Sequence, residues 1–315
     1  MKNLSAYQLF FLLSVLFFFL PDTAQTGGKI PGGPDFRPSV LAGTWYPGSR
    51  VSLEKTIRDY MQGVSVPSPE GDIRALIVPH AGYRYSGRVA AHAFRLLEGS
   101  SIERVILIGP SHRMCFHGAS VNLQAGYETP LGIVPVDQEF GRELIKAAPE
   151  MRWNKEAHIL EHCLEIQLPF LQMTLKDFKI VPILLSEMNF EACRRLALTI
   201  IDTMRGKGET LILASTDLSH YYSSERAQIL DHRFIDRIKE MDPQKLAKDL
   251  SAGKCEACGY SAVITTLLAA NNLEADRAEI LCYSHSGETT GDNVRVVGYL
   301  SAALIKSYYR DPHRK

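Results

Sequence analysis

The sequence predicts a single α/β domain, and three observations lead there. From Phe36 onward, short and almost continuous apolar runs alternate with longer amphipathic stretches, the pattern of strands covered on both faces by helices. No second composition break, repeat or low-complexity tract interrupts that alternation. The 315 residues are 45% hydrophobic and 22% charged, enough to bury a large core. Charge excludes one class of partner. Lys and Arg number 35 against 35 Asp and Glu, so there is no basic surplus to neutralise a nucleic-acid backbone. Six cysteines over this length are too few for a disulfide scaffold.

The first element stands apart from that domain. Lys2 precedes an apolar run from Leu9 to Leu20, Pro21 stops it, and Asp22-Thr23-Ala24-Gln25 offers small residues for a cut. This is the charged, apolar, small-residue order of an export signal. Residues 1–25 are therefore expected to be a signal peptide, and the protein periplasmic or extracellular. Twelve helical residues span roughly 18 Å, against about 30 Å of bilayer core, which is short for a stable span. Left uncleaved, the segment would be the one membrane anchor. Residues 26–36, which include Gly27-Gly28-Lys29-Ile30-Pro31-Gly32-Gly33-Pro34, read as a flexible linker, and residues 37–315 as the domain.

Within the domain, strands are expected at Arg74–Pro79, Arg104–Gly109, Lys179–Leu184, Thr210–Ser215, Ile280–Ser284 and Val294–Ala302. Helices are expected at Leu53–Met61, Gly87–Leu97, Gln138–Lys146, Glu161–Leu175, Glu191–Met204, Glu225–Lys239, Pro243–Leu250 and Tyr260–Ala270. Polar residues gather where strands end: Pro79-His80-Ala81-Gly82-Tyr83, Gly109-Pro110-Ser111-His112, and Thr216-Asp217-Leu218-Ser219-His220. Ligands of open α/β sheets bind outside the carboxyl ends of strands, so three His-bearing loops can share one mouth.

Each constellation has a chemical reading and a bland one. His80 and His112, in loops stiffened by Gly and Pro, either ligate a metal or simply bond a carbonyl. Asp217 and His220 form a D-x-x-H pair, either a carboxylate setting an imidazole for proton transfer or a helix N-cap. Cys258 closes Cys255-Glu256-Ala257-Cys258 just before the helix expected from Tyr260, where a thiol ionises more easily. No second C-x-x-C completes a four-thiolate zinc site, and in an oxidising compartment Cys255 and Cys258 can pair. Cys115, Cys163, Cys193 and Cys282 fall in or near apolar stretches and read as buried small hydrophobes. His158-Ile159-Leu160-Glu161-His162 matches the H-x-x-E-H of inverted zinc peptidases, with Glu165 one turn further along the same helical face. Its bland alternative is a helix packed into the core. No G-x-S-x-G, P-loop or dinucleotide glycine motif is present.

Taken together, six stretches resemble the Memo family, also called protein B of the AmmeMemoRadiSam system. They are Ala42-Gly43-Thr44-Trp45-Tyr46-Pro47, Val78 to Gly87 (VPHAGYRYSG), Leu107 to His112 (LIGPSH), Glu161 to Pro169 (EHCLEIQLP), Ser215 to Tyr221 (STDLSHY) and Ala257-Cys258-Gly259. They come in the family's order and span almost the whole domain. The resemblance implies a three-layer α/β/α sandwich similar to the class III extradiol dioxygenases, whose iron is held by two His and a carboxylate. Carried over by motif, the metal ligands are His80, His112 and Cys258. Asp217 and His220 would face the same pocket as the acid/base pair, with Trp45, Tyr85 and Arg84 around it and Glu161 and His162 behind the ligands. That ligand set suits iron or copper, with zinc also accommodated. The expected function is thus a mononuclear metal-binding protein with oxygen-dependent, dioxygenase-like redox chemistry on a small aromatic or peptide ligand. The alternatives are a non-catalytic metal- or peptide-binding module and, third, a zinc peptidase built on His158, Glu161 and His162. Two features depart from the family: Arg113 stands where a second His often follows the GPSH motif, and most relatives look cytoplasmic.

Overall fold

The computed structural model of the chain describes residues 35–186 and 188–308. The expected signal peptide, residues 1–25, and residues 26–34 of the linker lie outside the described residues. In chain order the elements are β1 (Phe36–Arg37), α1 (Arg50–Gln62), β2 (Gly71–Val78), α2 (Tyr83–Arg95), β3 (Arg104–Pro110) and β4 (Gly118–Val121). Next come β5 (Gly126–Thr129), β6 (Gly132–Pro135), α3 (Gln138–Ala147), β7 (Met151–Arg152), α4 (Lys155–Ile159) and, after a 3-10 turn, α5 (Leu168–Thr174). The second half runs β8 (Lys179–Ser186), α6 (Phe190–Met204), β9 (Thr210–Ser215), β10 (His220–Tyr222), α7 (Ser224–Lys239) and α8 (Pro243–Ser251). It closes with α9 (Tyr260–Asn272), β11 (Arg277–His285), α10 (Ser286–Thr290) and β12 (Val296–Ser307).

All six expected strands form, and they join one nine-stranded sheet. Its centre is four parallel strands in the order β2, β9, β3, β8, so their carboxyl ends share one edge. β12 closes one side antiparallel to β2, with β11 beyond it, and β4 lies antiparallel to β8 on the other. The apolar runs work as two-faced strands. Ala75, Ile77, Ile106, Ile108, Ile212 and Ala214 face one buried cluster, and the residues between them, Leu76, Val105, Leu107, Leu211 and Leu213, face the other. Helices α6, α7 and α9 cover the first face, and α1, α2 and α5 the second. This period-2 division makes the three-layer sandwich. Helix starts are set by side-chain caps: Ser49, Asp137, Asn189, Ser223 and Asp242 each accept a backbone N–H of the first turn. Among the described residues no helix is long and apolar enough to cross a membrane.

Three expectations are corrected. Helix α2 begins at Tyr83 rather than Gly87, and Gly87 lies inside it as a packing contact: a Cβ there would come within 2.8 Å of the Tyr60 ring. The helix expected over 161–175 is not one helix. Residues 160–164 form turns and loop, because their backbone groups are claimed from outside. Arg37 donates to the carbonyls of His158 (2.6 Å) and Glu161 (2.7 Å), while the Glu161 carboxylate accepts the N–H groups of His162 and Cys163. Cys115 is exposed rather than buried and Cys282 half-buried; Cys163 and Cys193 are buried as expected, and all six cysteines are free, including Cys255 and Cys258. The short strands β1, β4 to β7 and β10 carry too few residues to show a period, and none was expected.

Candidate metal centre

The parallel centre of the sheet delivers the site. β9 lies between β2 and β3, so the loops carrying His80 and His112 leave on either side of the one carrying Asp217. The rings of His80 and His112 stand 5.1 Å apart, nearly perpendicular. Cys258, two residues ahead of α9, brings its Sγ to 3.1 Å from His80 Nε2, and that sulfur accepts the Asp217 N–H at 3.3 Å. One ligand atom from each of His80, His112 and Cys258 lies within 4.8 Å of the others.

Hydrogen bonding fixes which nitrogen each ring presents. Ser215 Oγ donates its single proton to the Cys163 carbonyl (2.7 Å), so at 3.0 Å it accepts from His80 Nδ1–H. His112 Nδ1 lies 2.9 Å from Glu161 Oε1, an acceptor, and therefore donates as well. In both rings Nε2 is the nitrogen left to face the site, and His80 Nε2 faces the sulfur. A thiolate gathered with two such nitrogens in a buried space calls for a cation among them, a proton or a metal ion. In the ion-free group a proton takes that part. Burial opposes the Cys258 thiolate, but His80 and His112 hold its pKa down to about 6. Burial likewise opposes a charged His112, yet the Cys258 sulfur and Glu161 hold it up to about 10. The residues present therefore fit a soft or borderline metal ion, with His80, His112 and Cys258 as its ligands.

The other expected residues are distributed as follows. Asp217 is buried and turns to the backbone of His80, accepting its N–H at 2.7 Å, with the second oxygen 4.0 Å from His80 Nε2. Burial raises its pKa. The expected Asp217–His220 contact is not made: His220 Nδ1 lies 2.7 Å from the Leu218 carbonyl, in the direction set by its own turn. Glu161 accepts from the His112 N–H at 2.6 Å as well as from its ring, and burial notwithstanding, His112 and His162 hold it well below the usual carboxylate range. Tyr85 and Arg84 sit exposed on the first turn of α2, the guanidinium over the Tyr85 ring at 5.8 Å.

His162 was expected behind the ligands, and it stands among them instead. Its ring centroid is 4.4 Å from His112, 5.3 Å from His80 and 4.6 Å from Trp45. Its Nδ1 is buried without a hydrogen bond, 3.2 Å from Glu161 Oε1 but at an unfavourable angle. Burial, with His80 and His112 nearby, pushes its pKa down to about 2, so it is a neutral imidazole. Reading 161–175 as one helix hid this placement.

His158 takes no part. It is on α4, buried and bonded to Ser120 and Tyr127, and Glu161 and His162 follow beyond the helix end. The single helical face that the H-x-x-E-H reading needs does not exist.

A profile of the Memo-like protein family matches residues 37–303. A MEMO1 family protein of Nitrosopumilus maritimus is 35% identical over 275 residues, covering 85% of this chain and 99% of its own. Those of Methanobrevibacter smithii and Sulfolobus acidocaldarius are 36% and 37% identical, covering 84% and 83% of this chain and 98% and 96% of their own. A solved structure of an uncharacterized Escherichia coli K12 protein is a remote likeness, with a TM-score of 0.46 at 14% identity over 74% of this chain and 100% of that one. The chain belongs to the Memo-like protein family.

Proposed function

We propose that the protein binds one transition-metal ion through His80 Nε2, His112 Nε2 and Cys258 Sγ, and uses it for oxygen-dependent redox chemistry on a small aromatic or peptide ligand. The observation that carries the reading is the shared orientation of the two imidazoles. Each Nδ1–H is committed to an oxygen partner, and the two Nε2 atoms converge with a sulfur. Two imidazoles and a thiolate favour iron or copper, with zinc next, and a redox-active ion would supply one-electron chemistry at an open coordination position. The chain's own residues have separable tasks. Ser215 and Glu161 keep the ligand rings in one tautomer. Trp45 and the neutral His162 wall the site against water. His220 holds or moves a proton at Nε2, its other nitrogen being occupied by the Leu218 carbonyl.

Metal analysis of the purified protein tests this. Cys258→Ala and His80→Ala are expected to lose most of the bound metal, and full metal content in Cys258→Ala removes the thiolate from the reading. A second reading, metal handling without turnover, is favoured by crowding: the His162 ring stands 4.4 Å from His112 and 5.3 Å from His80, filling space beside the ligands. Oxygen uptake with a catechol after Fe(II) addition supports the first reading, and tight uptake of Fe(II) alone supports the second. The reading also has the protein exported, on the residue order of positions 1–25; the N-terminal residue of protein isolated from its native compartment decides that.

A further inference from the structure

The turn that carries His220 is held from behind by a residue outside every motif of the site. Asp231, on α7, is fully buried. Its Oδ1 accepts the Ser219 N–H at 3.0 Å and its Oδ2 the Tyr283 hydroxyl at 2.8 Å. The same turn is clasped to β12, with Leu218 N–H donating to the Gly298 carbonyl (2.8 Å) and Gly298 N–H to the Ser219 carbonyl (3.0 Å). A Cβ at position 298 would fall 2.0 Å from Asp231 Oδ2, so the strand and the carboxylate can both approach the turn only because residue 298 is glycine. On the outer side, Tyr222 donates to Glu256, two residues before Cys258, at 2.7 Å. Between these anchors Tyr221 adopts φ +65°, a left-handed backbone that a tyrosine rarely takes. A strained residue directly after His220, fixed on both sides, is what a turn looks like when the direction of one side chain matters.

We infer that Asp231 is a positioning residue for His220: through the Ser219 N–H, and with Gly298 making room, it sets where the His220 ring stands at the mouth of the site. This deepens the proposed function and rests on it for the use to which His220 is put, while the positioning itself is independent of metal.

The test uses the domain spanning residues 35–315 within the full chain, with zinc as the metal probe and the His220 Cε1–Hε1 resonance as the readout. That resonance is assigned by its loss in His220→Gln and read at pH 9. Asp231→Ala is expected to displace and broaden it, Tyr283→Phe to move it less in the same direction, and Asp231→Asn, which keeps an oxygen acceptor for Ser219, to restore it. Zinc content is expected to stay at the wild-type level throughout. An unmoved His220 resonance in Tyr283→Phe and in Asp231→Ala overturns the inference. Should Asp231→Ala fail to fold, an unmoved resonance in Tyr283→Phe does so alone. Failure of the wild type to take up zinc, iron or copper, with His220 still responding, would remove the proposed function and leave the positioning intact.

Discussion

Two carboxylates four residues apart, Glu165 and Glu161, are both buried and both surrounded by donors, yet they serve different ends. Glu165 accepts from Arg37 at 2.6 Å, from Ser39 and Tyr46 at 2.7 Å each, and from the Leu41 N–H at 3.0 Å. Burial and the Glu165 charge raise the Tyr46 pKa, and the Ser39 hydroxyl and the Leu41 N–H do not ionise. Glu161 accepts from two backbone N–H groups and from both the backbone and the ring of His112, whose other nitrogen belongs to the Cys258 group. The first cluster is a latch for the fold, and the second passes its electrostatics on to the site. A buried charge network is therefore no guide to function until its donors are identified.

The comparison can be broken most directly at Arg37. Arg37→Ala strands the buried Glu165 and frees the carbonyls of Pro38, His158 and Glu161, and is expected to cost about 3–5 kcal/mol in urea unfolding. A loss below about 1 kcal/mol would mean that the latch is not one. The latch also has an acid limit. Burial and Arg37 push the His158 pKa down to about 3, against about 6.5 for an unfolded histidine. Between those values the unfolded chain binds the extra proton, so the contribution is complete above about pH 6.5 and is lost as the pH falls toward 3. It amounts to a few kcal/mol, on the order of the shift itself, and His158→Gln should flatten that part of the stability–pH curve. Glu161→Gln acts on the other side of the comparison: metal affinity, measured by chelator competition, should fall about 10–100-fold with less loss of stability than Arg37→Ala. Asn189→Ala, at a cap whose side chain bonds the Ala192 N–H and neither cluster, should cost about 1 kcal/mol and leave metal content untouched.

How much of this could be read from the chain depended on where the controlling partner sits. The central strands were legible because burial on both faces writes itself as an unbroken apolar run, as in Thr210–Ser215, whose bounds needed no adjustment. The three residues gathered at the candidate metal centre were legible because His80 and His112 follow the ends of such strands and Cys258 stands just before a helix. The segment from Leu160 to Leu164 was not, since its conformation is dictated by Arg37, more than 120 residues away. His162 was misplaced for the same reason. The Asp217–His220 pairing failed differently: nearness in sequence suggested a contact, while the turn sends the two side chains to separate partners.

His80 and Cys258 are separated by 178 positions. Both donors are in place only once the chain has folded through to the segment ahead of α9; before that only the two imidazoles stand together. An ion held by all three would therefore arrive late and close a finished molecule, unlike the metals that nucleate small zinc-dependent domains.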